Sequence, residues 1–144
     1  MAKWMRRAVP IVLVATAAAL GPAAAAATAG LTVQAQSGDL GPGRTTVAVS
    51  GTYSCGPFTT GLPDRGVIDL TVAQVQRHRT VTAYGYLEPA VCDGTDQAFT
   101  TTVTVVGTRP FQVGGAQWSA SGYVEGDTGL QSVHVPPTPL RLTR

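Results

Sequence analysis

The side chains able to carry acid–base, nucleophilic or metal chemistry in this 144-residue chain are few. They are His78 and His134, Cys55 and Cys92, and eight acids. A nucleophilic serine would need a shaped elbow, and no Gly-x-Ser-x-Gly occurs. His134 alternates with Val133 and Val135, which reads as a solvated strand residue. Asp93 and Asp96 are close enough in sequence to suggest a carboxylate pair, yet Asp93-Gly94 is ordinary turn chemistry. Glu88, Asp93 and Asp96 offer oxygens to calcium, but their spacing matches no ordered calcium loop. Zinc is disfavoured because the histidines lie 56 positions apart and both cysteines have another use. No catalytic, cofactor or metal constellation is therefore expected, and the chain reads as non-enzymatic.

What remains is binding chemistry. Arg77-His78-Arg79 is the densest basic spot, suited to an anion or acidic polymer if it is more than a solvated turn. Phe58 is either a lid over one end of the core or an exposed contact. Tyr84, Tyr86 and Tyr123 would join it in an aromatic contact surface, or else lie half-buried in strands. The connections 56–65, 77–79 and 88–97 are the expected binding loops, which gives Phe58, Arg77, His78, Arg79, Asp93 and Asp96 as candidate residues.

These residues need a frame, and the first 29 positions are not part of it. Lys3, Arg6 and Arg7, then the apolar run Ile11–Leu20, then Ala27-Thr28-Ala29 follow the order of a secretory signal peptide. The apolar run falls short of the roughly 20 residues that span a bilayer, so no membrane span is expected after cleavage at Ala27 or Ala29. The whole chain carries +2, but residues 30–144 carry −1, because the three basic groups of the leader are gone. Seven arginines, no lysine and eight acids make no basic footprint for nucleic acid. Residues 30–144 are long enough for one modest core and are read as a single domain.

In an exported chain two cysteines read as one disulfide. Cys55–Cys92 would close a loop of 36 intervening residues, worth about 4 kcal/mol on chain entropy.

Period-two alternation covers almost all of the chain after Gly30. The expected strands are 31–37, 45–55, 66–76, 80–87, 98–106, 116–125 and 130–135, with Gly38–Gly43 a turn. Pro136, Pro137 and Pro139 make 136–144 an edge strand or a tail. Trp118 is the best single candidate for a core anchor. Seven or eight short antiparallel strands with regular turns indicate an all-β sandwich or barrel.

Val-Ser-Gly-Thr-Tyr-Ser-Cys (49–55), Val-Cys-Asp-Gly-Thr (91–95) and Pro-Phe-Gln-Val-Gly-Gly-Ala-Gln-Trp (110–118) resemble a group of short exported actinobacterial proteins of unknown function. The resemblance runs from about Leu31 to the C-terminus. It implies an immunoglobulin-like β-sandwich with one disulfide, and no activity. Antibody-type domains place a Trp between their cysteines, whereas Trp118 follows both. Cys55 ends the second expected strand and Cys92 lies in the connection after the fourth, so the bridge is expected at the rim of the fold.

The expected function is that of a secreted binding or structural module whose partner is an extracellular protein or envelope component. The alternative is a secreted inhibitor of an extracellular protease or other hydrolase, presenting Phe58–Pro63 beside Cys55.

Overall fold

The alternating runs become seven strands. A computed structural model describes residues 30–144; the signal-peptide assignment lies outside the described residues. The strands are β1 (Thr32–Leu40), β2 (Thr46–Ser54), β3 (Arg65–Gln76), β4 (Arg79–Leu87), β5 (Gln97–Val105), β6 (Gly114–Gly126) and β7 (Gly129–Thr143). Among the described residues, helix is limited to a single 3-10 turn, Pro42–Arg44.

Hydrogen bonding joins the strands in the order β1-β2-β5-β4-β3-β6-β7 and closes back on β1, so the domain is a seven-stranded barrel. The all-β expectation of seven or eight strands holds, and the ring is stitched at the two places where a sandwich would leave edges. β4 meets β5 through Ala83–Val105 and Tyr84–Thr104, and β7 meets β1 in parallel through Gly38–Leu142 and Asp39–Thr143. Each seam rests on two residue pairs, which gives every strand a neighbour on both sides of the ring.

The second seam exists because β7 does not stop at its prolines. The stretch 136–144, expected as an edge strand or a tail, is the end of a 15-residue strand that is paired with β6 and, through Leu142 and Thr143, with β1. Pro136 and Pro137 fall where the β6 register shifts between Trp118 and Ala120, so their missing N–H groups break no ladder. Beyond them Leu140 and Leu142 turn inward and are buried.

A similar irregularity rescues β1. A register shift between Ala35 and Ser37 leaves Gln36 unpaired. Because strand side chains alternate, one extra residue moves the inward phase from Val33 to Gly38. Gly38 is therefore strand rather than the expected turn. A Cβ there would meet Leu142 Cδ2 at 2.8 Å and Leu140 Cδ2 and Val47 Cγ1 at 3.2 Å.

The core is the inward face of every strand. Val47 and Val49, Ile68, Leu70 and Val72, Val81 and Ala83, Val103, Trp118 and Val124 are all buried. Two phenylalanines outside the strands complete it: Phe58, in the β2–β3 connection, and Phe111, in the β5–β6 connection. Phe58 is thus a lid, and its candidacy as an exposed contact falls because its ring lies over Gly126.

Candidate functional site

In a chain whose successive strands alternate direction, successive connections emerge at opposite ends and alternate ones share an end. The β2–β3, β4–β5 and β6–β7 connections share one end; the β1–β2, β3–β4 and β5–β6 connections share the other. The expected binding loops 56–65, 77–79 and 88–97 therefore do not form one surface. Loops 56–65 and 88–97 meet, and 77–79 lies at the far end of the 12-residue β3.

The first end is stapled. Cys55, just after β2, bonds to Cys92 in the β4–β5 connection, with Cα atoms 4.6 Å apart and both side chains fully buried. The bridge is a rim staple, as the cysteine positions suggested. Around it the loops share backbone bonds: Phe58 N–H donates to Cys92 O (2.9 Å), Cys92 N–H to Gly61 O (2.8 Å) and Gly94 N–H to Cys55 O (2.8 Å). Tyr53 Oη accepts from the N–H groups of Ala90 (3.1 Å) and Val91 (3.3 Å). Gln131 on β7 exchanges two bonds with the Gly56 backbone.

Two carboxylates at this end, Asp93 and Asp127, are occupied by the same bracing. Asp93 Oδ1 accepts from Thr95 Oγ1 (2.6 Å) and Thr95 N–H (2.9 Å), so Asp93 serves its own turn. Those bonds, the Thr95 hydroxyl first, hold its carboxyl below the usual range. Asp127, between β6 and β7, accepts from Thr59, and the Thr59 bonds lower its carboxyl likewise. Asp96 and Glu88 are exposed. Among the described residues no three His, Cys, Asp or Glu side chains gather as a metal cage.

The second end is held by glutamines. The inward face of β3 runs Ile68, Leu70, Val72 and then continues with the buried Gln74 and Gln76. Gln74 Nε2 donates to Gln112 O (2.8 Å) and Gly115 O (3.1 Å), while Gln74 Oε1 accepts from Gln112 N–H (2.8 Å) and Gln76 Nε2 (2.8 Å). Gln76 Nε2 also donates to Pro110 O (3.0 Å). Buried amides need partners, and here they are each other, Gly115 O at the start of β6 and the backbone of the 106–113 loop. The loop is thereby clasped against the β3–β4 turn, with Phe111 beneath it.

The clasp brings Arg109 beside Arg77. Gln76, Arg77, Arg109 and Gln112 line a depression of about 320 Å³. An adjoining one of about 260 Å³ adds His78 and Arg79. Arg77 occupies the first position of a two-residue turn closed by Gln76–Arg79, with φ +56°, a conformation ordinarily left to glycine or asparagine. Of the six candidates, Arg77, His78 and Arg79 thus share a pocket, Asp93 and Asp96 sit at the opposite end, and Phe58 is buried. Arg109, Gln76 and Gln112 were missed. The signal for Arg109 was the parity of the connections: position 109, like 77, lies in an odd-numbered one.

Parity also sorts the charges. Arg44, Arg77, Arg79, Arg109, Arg141 and Arg144 all lie toward the clasped end, where Asp39 is the one acid; the other seven acids lie toward the stapled end with Arg65. Arg65 is paired with Glu125, the one ion pair found among the described residues. The net charge of −1 over residues 30–144 thus conceals a domain with a basic and an acidic pole.

Neither family models nor curated proteins match this chain. Among solved structures, the sporulation control protein Spo0M from Bacillus subtilis is similar at 13% identity and a TM-score of 0.37, over 80% of this chain and 49% of that one. The chain thus spans about half the length of that protein.

Proposed function

We propose that this protein is exported and acts as a non-enzymatic binding or structural module, engaging an extracellular or envelope component through one end of its barrel. The observation that carries this reading is the basic pole: arginines that have no acid partner among the described residues, set round a clasped depression on a stapled frame. Arginine forks that are not spent on internal ion pairs remain available to a ligand. The Cys55–Cys92 bridge supports export, since such bonds persist in oxidising compartments. Among the described residues no helix is long and apolar enough to cross a membrane. The two short seams divide the ring into β1-β2-β5 and β4-β3-β6-β7, which supports reading it as an immunoglobulin-like sandwich closed at both edges.

Two measurements test this. N-terminal sequencing of protein recovered from culture medium should begin at residue 28 or 30. Purified protein should be retained saturably on envelope material and should turn over no member of a broad hydrolase substrate panel; turnover of any substrate overturns the reading.

A second reading, inhibition of an extracellular hydrolase, is favoured by one observation. Loop 56–65 is pinned by the staple, by Cys92 and by Asp127, yet it leaves Leu62 exposed at 56%. A rigid loop with an apolar tip lowers the ordering cost of docking. Slowing of a serine, cysteine or metalloprotease at micromolar concentration, abolished in Leu62→Ala, is the expected result. Failure against all three classes removes this reading.

A further inference from the structure

We infer that the depression at the clasped end is a phosphate-binding site, in which Arg77, Arg79 and Arg109 grip the phosphate group and Gln76 and Gln112 form the wall. The inference rests on the reading of the domain as a binding module and names the chemistry of its ligand.

Three features point to phosphate. Arg77 in the β3–β4 turn, Arg79 at the start of β4 and Arg109 in the β5–β6 connection present planar forks of N–H donors, which suits a tetrahedral group that can be approached from several sides. A single carboxylate is satisfied by one such fork, whereas a phosphate dianion has charge and oxygens for all three. Second, the arrangement is built rather than incidental. The buried Gln74 and Gln76 tie the 106–113 backbone to β3 and so fix Arg109 opposite the β3–β4 turn. Third, the basic residues stay together without compensation. Arg77 holds a left-handed backbone where glycine would be unstrained, a cost that tends to mark functional positions. Arg44, the other non-glycine residue with positive φ among the described residues, lies in a turn at the same end. The acidic pole at the opposite end would repel an extended polyanion and so orient the domain with this end toward it.

The experiment is an NMR titration of the isotopically labelled, disulfide-bonded protein with inorganic phosphate, and separately with acetate at matched ionic strength. The expected result is saturable shifts at the Arg77, Arg79 and Arg109 side chains under phosphate, none at Thr59 or Thr95, and no saturation with acetate. Arg109→Ala should weaken phosphate binding about tenfold or more, as loss of a charge-assisted contact does. Arg77→Gly should weaken it similarly while leaving thermal stability unchanged or higher, so that the loss is not one of folding. Arg65→Ala, at the stapled pole, should bind as the parent does. Equal response to phosphate and acetate, or unchanged binding in both Arg77→Gly and Arg109→Ala, overturns the inference.

A second arm separates the sources. A short polymer of glycerol phosphate units that binds more tightly than inorganic phosphate assigns the site to polymer-borne phosphate; equal or weaker binding assigns it to the free ion. If phosphate fails while saturable retention on envelope material persists, the ligand class is wrong and the binding module stands. If both fail, both readings fall.

Discussion

At the scale of single residues, polar atoms in this barrel are used to hold loops. Gln74 is the clearest case, because its amide meets four partners from β3, the 106–113 loop and β6. Gln74→Leu would keep the volume and leave the Gln112 N–H without its partner, while Gln76 Nε2 would keep only its bond to Pro110 O, at a cost of about 1–3 kcal/mol. Chemical denaturation should show that loss, with amide exchange rising first at Gln112. Gly38 is the opposite kind of residue, defined by the space it leaves empty. Gly38→Val would drive methyl groups into Leu140, Leu142 and Val47 and should cost about 1–3 kcal/mol by overpacking. The same denaturation midpoint reads it.

The acids of the stapled end give a pH signature. Asp93 and Asp127 are held below the ordinary carboxylate range by bonds from Thr95 and Thr59. A depressed folded value means that stability is present above the unfolded value, near pH 4, and is lost as pH falls through the folded one. Amide exchange at Thr59 and Thr95, corrected for intrinsic rate, should therefore rise below about pH 4. It should not change between pH 6 and 8, and Asp127→Asn should remove the Thr59 response alone.

At the scale of elements, two phenylalanines in irregular connections do what strand residues do elsewhere. Alternation read Phe58 as ambiguous and did not single out Phe111, because neither belongs to a period-two run. Their burial follows from the open ends of a barrel, which strand side chains alone do not cover. Phe111→Ala should cost about 3–5 kcal/mol, the usual range for emptying a buried aromatic position. It should also unseat the loop that carries Arg109, so phosphate-dependent shifts there should vanish with it. β7 teaches the complementary lesson. Its prolines suggested an end, yet the strand continues because two of them coincide with a register shift and the third, Pro139, still takes a place opposite Gln117.

At the scale of the whole molecule, the ring closes by two narrow seams and one covalent bridge. Reduction of Cys55–Cys92 should lower stability by about 2–5 kcal/mol, the usual cost of losing a native disulfide in a small domain. Because the staple holds the end remote from Arg77, reduction at a temperature where the barrel survives should leave phosphate binding intact. The charge poles are a property of this scale alone. Binding to any polyanion should weaken steeply between low and physiological ionic strength, as screening shortens the reach of the basic end.

Composition, alternation and cysteine count were enough to establish an all-β chain, the approximate place of seven strands, the buried Trp118 and the Cys55–Cys92 bridge at a rim. Those features are local or follow from a count of two, so no knowledge of strand order was needed. The tertiary structure decided the closed ring, the lids, the clasp and the separation of charge. Strand pairing and loop burial depend on residues far apart in sequence: Gly38 with Leu142, Gln74 with Gln112, Arg77 with Arg109. The Arg77-His78-Arg79 turn was visible from the start. That it faces away from the staple and toward Arg109 followed only once the strands had alternated through the ring.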